Sequence, residues 1–113
     1  MKPKKYKVMI AESGKLDIKS KKKYIIQQFK YREYAETFSQ TIKRAALQLN
    51  TFPTGYETTG FQYHGYDIYI KSYSNHLLFY TVNEKALTVT ILRVLQDGMD
   101  WEYIITHWLN QNS

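Results

Sequence analysis

The side chains in this sequence that could do chemistry are three histidines, a late arginine and eleven tyrosines. His64, His76 and His107 do not have the spacing of a local metal motif, and a general base needs a neighbouring group that tunes its pKa. The sequence has no nucleophile elbow, no phosphate-cradling glycine loop and no cysteine. We therefore predict no metal and no other cofactor, and we interpret His107 as a packing or surface residue.

Arg93 is unusual because it interrupts the apolar run Leu87–Leu95. Side chains alternate along a strand, so Arg93 should share one face with Ile91, while Leu92 and Val94 share the other. One of these faces must pack under helices. This pattern predicts that Arg93 lies either on the open face of a sheet or at the strand end.

Either position exposes the Arg93 guanidinium beside the Asp97-Gly98 turn, where it can hold a phosphate or a carboxylate in a fork. The alternative is a structural salt bridge, to Glu84 or Glu102. The sequence leaves both interpretations open.

Tyrosines concentrate in the second half of the chain near Lys71 and Arg93. Such residues together could stack bases and hold phosphates. Tyrosine also favours strands and half-buried surfaces for purely structural reasons. The tyrosines of this region are Tyr63, Tyr66, Tyr69, Tyr73 and Tyr80.

Positive charge is confined to one end of the chain. Residues 1–23 contain nine lysines and two acids, whereas the rest of the chain contains seven cations and eight acids. A basic block suits nucleic acid or an acidic partner, but it also suits a solvated face. The chain has no signal-peptide pattern and no apolar stretch of membrane-spanning length, so we expect a soluble cytoplasmic protein without membrane contact.

The first half of the chain predicts a strand and two helices. Residues Lys5–Ala11 alternate as a half-exposed strand at a sheet edge, and helical spacing follows from Leu16 with Asp17 or Ser20 as the N-cap. The break near Lys30–Arg32 predicts a helical hairpin, although one long bent helix is possible. The second helix has an apolar stripe of Tyr34, Ala35, Phe38, Ile42, Ala45, Ala46 and Leu49, and Phe52-Pro53 ends it.

The second half predicts strands and one more helix. Residues 54–65 form a loop or short strand, and the three runs that follow should pair as an antiparallel meander. A last helix begins after Asp100, its N-cap. The predicted order is β-α-α-β-β-β-α in an α+β fold, with residues 1–113 as a single domain.

The segment Leu77 to Ile105 resembles the C-terminal half of RelE/ParE-superfamily toxins from type II toxin–antitoxin systems. The resemblance depends on the motifs Phe79-Tyr80-x-Val82-Asn83-Glu84, Val89-x-Ile91-Leu92-Arg93-Val94-Leu95 and Asp100-Trp101-Glu102. The strand, helical hairpin and Phe52-Pro53 of the first half are similar too. The resemblance implies a small α+β toxin that arrests growth and is neutralised by a cognate antitoxin protein.

Two targets follow from this resemblance, namely DNA gyrase for ParE-like members and the ribosome with its mRNA for RelE-like members. The RelE-like members cut mRNA without a metal, using basic residues and a tyrosine. DNA would be contacted only indirectly, through the antitoxin complex. A basic binding module without toxicity is the alternative outside the family.

The sequence departs from the family pattern at its basic residues. Gly98-Met99 replaces a basic pair before the last helix, and Leu77 occupies the position where the nucleases have an arginine. Metal-free phosphate transfer needs fixed positive charge. We therefore expect a ParE-like binder, and the catalytic residues of a nuclease would be Arg93, Tyr103 and His76. The expected target-binding residues are Lys71, Tyr80, Arg93, His64, Asp97 and Met99.

Overall fold

The computed structural model of the protein describes residues 4–112, so Lys2 of the lysine-rich start lies outside the described residues. The elements in chain order are β1 (Lys7–Ile10), α1 (Glu12–Phe29), α2 (Arg32–Leu47), β2 (Glu57–Tyr63), β3 (Tyr66–Tyr73), β4 (His76–Asn83), β5 (Thr88–Gln96) and α3 (Trp101–Asn112). Two short 3-10 turns join α2 to β2. The predicted α+β class is confirmed, and the segment predicted as a loop or short strand is the seven-residue strand β2.

The strands form one sheet in the order β1-β5-β4-β3-β2. Strands β3, β4 and β5 pair antiparallel with their sequence neighbours, which confirms the predicted meander, and β2 extends it by one strand. Strand β1 lies at the sheet edge, as predicted, and pairs with β5 in parallel. A parallel pair needs a long connection, which the two helices and three strands between β1 and β5 provide.

The helical hairpin is confirmed, and its turn is one residue in the left-handed conformation. Lys30 has φ 59°, and its N–H closes α1 by bonding the Ile26 carbonyl at 2.8 Å. Tyr31 is extended and precedes α2. The stripe predicted for the second helix is buried at Ala35, Ile42, Ala45 and Ala46 of α2 and at Leu49 of the 3-10 turn after it, whereas Tyr34 is 54% exposed.

The sheet has a core on each face. Ile42 of α2 packs with Tyr80 and Ile91 on the hairpin side. On the other face, Ile105 of α3 packs with Phe79. Neighbouring residues of β4 therefore belong to opposite cores, as a fully buried central strand requires.

A β-bulge in β5 overturns the predicted side-chain alternation around Arg93. Phe79 is opposite Arg93 but Tyr80 is opposite Ile91, so Leu92 is an additional residue in β5. As a result Ile91 belongs to the hairpin-side core together with Val94, and Leu92 belongs to the core under α3. The prediction that Leu92 and Val94 share a face was wrong, because strict alternation holds only without a bulge.

Helix α1 begins at Glu12, earlier than the sequence predicted, and Ala11 is its N-cap residue. The N-cap predictions of Asp17 and Ser20 were therefore wrong. Gly14 is buried inside the helix. A Cβ at Gly14 would lie 3.0 Å from the Ile10 side chain and 3.1 Å from the Ile91 carbonyl, so glycine permits the close approach of α1 to β5.

Candidate functional site

At the bulge, helix α1 replaces β1 as the neighbour of β5. The β1 pairing ends at Ile91, which leaves the next part of the β5 edge without a strand partner. The Ser13 hydroxyl donates to the Leu92 carbonyl at 2.6 Å, and the Asp17 carboxylate accepts the Val94 N–H at 2.9 Å. Ser13 and Asp17 are one helical turn apart, so both face the strand and satisfy its backbone groups.

The same Asp17 carboxylate forms a bidentate salt bridge with Arg93, which is called the Arg93 fork. Arg93 Nε donates to Asp17 Oδ2 at 2.7 Å, and Arg93 Nη2 donates to Oδ1 at 3.0 Å. The side chains are only 17% and 15% exposed, so water screens the pair weakly. The structural salt bridge was the correct alternative, but Glu84 and Glu102 were the wrong partners.

A pocket of about 360 Å³ lies beside this ion pair and is called the Arg93 pocket. It brings together three of the predicted site residues, Arg93, His76 and Met99. Lys21 and Tyr24 of α1 also contribute, with the Lys21 ammonium 5.0 Å from the centre of the Tyr24 ring. The complete lining is Asp17, Ser20, Lys21, Tyr24, Phe38, His76, Arg93, Val94, Leu95, Gln96, Met99 and Ile104.

His76 is the most unusual polar group of the Arg93 pocket. Its Nδ1 lies 2.9 Å from the Ser74 carbonyl, which can only accept, so Nδ1 carries the hydrogen and Nε2 is an acceptor in the neutral ring. Nε2 is buried without a partner among the described residues, and the ring packs on Phe38 at 4.9 Å. A ligand that donates a hydrogen bond into the pocket would satisfy this nitrogen.

Lys71 is enclosed on the hairpin side of the sheet and lies outside the Arg93 pocket. It is 7% exposed, and its ammonium donates to Gln48 Oε1 at 2.9 Å. The ammonium also lies 4.9 Å from the centre of the Tyr56 ring and 5.8 Å from that of Tyr73. The predicted target-binding role of Lys71 conflicts with this burial, because its charge is covered by neighbouring side chains.

Tyr80 is also a core residue, and its burial conflicts with its prediction as a target-binding residue. Its side chain has 0% exposure and stacks on Tyr69 with the ring centres 5.4 Å apart. Its hydroxyl donates to the Pro53 carbonyl oxygen at 2.6 Å. Burial raises the pKa of the Tyr80 phenol well above its usual range. Burial likewise raises the pKa of Tyr69, to which the carboxylates of Asp67 and Glu84 add.

The remaining predicted site residues are spread over three exposed positions. His64 lies in the β2–β3 turn with φ 52°, against the ring of Tyr63. Asp97 lies in the turn after β5, where its N–H bonds the Asn75 carbonyl at 2.8 Å. Tyr103 is 66% exposed on α3, so the tyrosine of the nuclease prediction does not line the Arg93 pocket.

Sequence reasoning missed a lysine-rimmed groove of about 750 Å³ between the two helices and β1. Ile10, Ile18 and Ile26 form its apolar part. Its rim consists of Lys15, Lys19, Lys22, Lys23 and Lys43. The helical spacing of Lys15, Ile18, Lys19, Lys22 and Ile26 along α1 was the signal that could have revealed it.

Two further findings concern metals and membranes. Within residues 4–112, no group of three or more histidine, aspartate or glutamate side chains is placed to hold a metal ion. None of the helices in this part of the chain combines the length and apolarity needed to cross a bilayer.

Asp100, the predicted N-cap of the last helix, accepts the Tyr103 N–H at 3.3 Å.

Comparison with known proteins gives a consistent picture. The family model "ParE toxin of type II toxin-antitoxin system, parDE" matches residues 8–101. The fold is similar to that in the chromosomal ParDE toxin–antitoxin system from P. aeruginosa, with 12% identity, a TM-score of 0.66, and coverage of 82% of this chain and 97% of the other.

A second similar structure is the toxin–antitoxin complex RelBE2 from Mycobacterium tuberculosis, with 16% identity, a TM-score of 0.55, and coverage of 84% of this chain and 94% of the other. At these identities the likeness concerns the fold alone. No curated protein sequence matches the chain significantly.

Proposed function

Because this chain belongs to the ParE toxin family of type II toxin–antitoxin systems, we propose that it arrests growth by binding DNA gyrase and is neutralised by a cognate antitoxin. The binding surface is the rim of the Arg93 pocket, where Met99 and Tyr24 are 47% and 51% exposed. Exposed apolar and aromatic side chains beside an arginine are typical of protein-binding hot spots.

The observation that carries a binding function is that both expected cations are already engaged. Asp17 occupies two donor groups of Arg93, and Gln48 with two tyrosine rings encloses Lys71. Metal-free RNA cleavage needs cations that are free to stabilise the charge developing on phosphate. Recognition of a protein surface has no such requirement, so the geometry favours the ParE-like alternative.

The lysine-rimmed groove supports the antitoxin partner. Its three isoleucines offer an apolar surface, and its five lysines surround that surface with positive charge. An amphipathic helix with an acidic rim complements both features. We therefore assign the antitoxin to this groove and the cellular target to the Arg93 pocket.

Inducible expression in a bacterial host tests the toxin function, with cell length, DNA damage response and translation followed after induction. We expect growth arrest with filamentation, and inhibition of supercoiling when the purified protein is mixed with gyrase. Met99→Asp should weaken both effects at least tenfold because a charge is buried at the interface. Normal growth of a host that contains soluble protein would contradict the proposal.

The chain offers a matched control for that variant. Met9 on β1 has the same exposed fraction as Met99, 47%, but does not line the Arg93 pocket. Met9→Asp should keep full toxicity, and both variants should melt within a few degrees of the parent. Equal loss in both variants would show that the Arg93 pocket is not the target-binding surface.

The antitoxin assignment has its own test. Lys19→Glu with Lys23→Glu should keep toxicity but prevent rescue by a small antitoxin encoded beside the toxin, because the rim would repel its acidic residues. Lys85→Glu, on the exposed loop before β5, is the charge control and should still be rescued. Rescue of the groove variant at parental antitoxin levels would place the antitoxin elsewhere.

One observation favours RelE-like ribosome-dependent mRNA cleavage as the second candidate. His76 Nε2, which has no partner in the described part of the chain, lies in the same pocket as Arg93, and a histidine nitrogen could accept the proton of a ribose 2′-hydroxyl. Translation arrest with cuts in the ribosomal A site, abolished by His76→Phe, would support this candidate over gyrase. A basic binding module without toxicity is the remaining alternative and predicts no growth effect.

A further inference from the structure

The turn of the helical hairpin carries an exposed aromatic cluster that the proposed function does not use. We call residues 29–34 the hairpin tip. Phe29 is 55% exposed, Tyr31 60% and Tyr34 54%. The centre of the Tyr34 ring lies 5.8 Å from that of Phe29 and 5.7 Å from that of Tyr31, at interplanar angles of 90° and 79°. In each edge-to-face pair the edge of one ring covers one face of the other, and the remaining faces of these exposed rings are open to a partner.

The approach to the hairpin tip is strongly basic. The stretch from Lys21 to Tyr34 contains five cations, of which Lys30 and Arg32 lie in the tip, and one acid, Glu33. Among the described residues, the only ion pair of this stretch is Lys22 with Glu36. The charge at the hairpin tip is therefore available to an outside anion.

Lys30 occupies a position where glycine would be favoured. Its φ of 59° is left-handed, and this conformation is strained for a residue with a Cβ atom. The helix would close equally well with glycine, so hairpin stability does not require a lysine side chain there. The side chain does add a cation, next in sequence to the exposed residues Phe29 and Tyr31.

We propose that the hairpin tip binds single-stranded nucleic acid, with its rings stacking on bases and Lys30 and Arg32 contacting phosphates. Aromatic rings that stack on bases and cations that contact the backbone are the two components of sequence-tolerant single-strand binding. An apolar protein partner would be better served by the aliphatic groove between the helices than by open rings. This direct contact departs from the expectation that DNA is reached only through the antitoxin complex.

Fluorescence anisotropy with the full-length protein and labelled 20-nucleotide dT and rU strands tests the proposal. We expect binding at 50 mM salt that weakens as salt rises, and weaker binding to a duplex of equal length. Tyr31→Ala should lower the affinity about fivefold or more, whereas Tyr31→Phe keeps the ring and should bind like the parent. Lys30→Gly should reduce the salt slope by about 0.7 without lowering the melting temperature.

Lys85→Gln removes one charge far along the chain from the tip and is the control for Lys30→Gly. Equal weakening by the two variants would overturn the proposal, because binding would then depend on net charge alone. Absence of binding at 50 mM salt, or parental binding by Tyr31→Ala, would also overturn it. Displacement of the strand by a polyglutamate peptide at lower concentration than by unlabelled dT would assign the tip to an acidic protein. The growth assay is independent, so the toxin proposal stands if only this binding fails.

Discussion

Arg93 and Lys71 are cations on the same sheet, yet their surroundings stabilise their charges in different ways. Arg93 meets a carboxylate in a fork at 2.7 and 3.0 Å at the edge of a pocket. Within residues 4–112, Lys71 meets no carboxylate and is held by an amide oxygen and two aromatic rings. The comparison shows that a strand cation can be structural at both positions, but with different energetic roles.

The difference lies in what remains when each cation is removed. Asp17 has its own charge to satisfy and is mostly buried, so it depends on Arg93. Gln48 is neutral and exposed, so it can bond to water without Lys71. Arg93 therefore fixes α1 to β5, whereas Lys71 contributes chiefly through its aliphatic stem.

The largest expected effect is that of breaking the Arg93 fork. Arg93→Met should lower the free energy of unfolding by about 3 kcal/mol, because the mostly buried Asp17 keeps a single hydrogen bond, from Val94. Urea denaturation measures this loss. The double variant Asp17→Ala, Arg93→Met should lose less than the two single losses combined, since neither partner is left unpaired. A loss below about 0.5 kcal/mol for Arg93→Met would mean that the fork contributes no more than a surface pair.

The next effect concerns Tyr80, which lies on β4 between the strands of the two cations. Tyr80→Phe leaves the Pro53 carbonyl without its donor and should cost about 1–2 kcal/mol at neutral pH. Chemical denaturation of parent and variant at pH 7 measures this cost.

The same variant should change how the free energy of unfolding depends on pH in the alkaline range. Because burial raises the pKa of Tyr80, the folded protein keeps a proton that the unfolded chain loses above its ordinary pKa of about 10. Stability is therefore constant with respect to this group below pH 10 and falls above it, by at most about 1.4 kcal/mol per pH unit. The free energy of unfolding of Tyr80→Phe should fall less steeply with pH than that of the parent. Parallel curves for parent and variant above pH 10 would show that the folded protein does not keep the Tyr80 proton.

Lys71→Met should have a smaller effect, within about 1 kcal/mol of the parent, because methionine keeps most of the stem and adds no buried charge. Lys71→Ala removes the stem as well and should cost about 2 kcal/mol. The difference between the two variants in urea denaturation separates stem packing from charge. A loss of 3 kcal/mol in Lys71→Met would make this cation equivalent to Arg93 and remove the contrast between them.

The sequence predicted those parts of the fold that depend on local periodicity. The apolar stripe from Ala35 to Ala46 identified the buried face of α2, and alternation from Tyr66 to Leu95 identified the meander. The partner of Arg93 was not predictable in this way, because Asp17 is 76 residues distant along the chain. The bulge at Leu92 has no local signature either, since it depends on pairing with β4.

The same limit explains the outcome for the candidate site. Residue type identified Arg93, His76 and Met99, which share one pocket. Residue type also selected Lys71 and Tyr80, whose exposure is determined by the connection between α2 and β2 that folds over them. Burial of a polar side chain depends on packing between distant segments, so it could not be read from the order of residues.

The smallest expected effect tests why the Arg93–Asp17 salt bridge stabilises the fold. It asks whether the stabilisation depends on burial of the pair or on pairing alone. Lys22 and Glu36 join α1 to α2 at 3.3 Å, but Glu36 is 64% exposed. Glu36→Gln should cost at most about 0.5 kcal/mol, and 0.5 M salt should remove the difference because water and ions already screen this pair. The Arg93→Met loss should persist at the same salt concentration. If both losses vanished in salt, long-range charge and not burial would hold α1 in place, and the distinction between the fork and a surface pair would have to be abandoned.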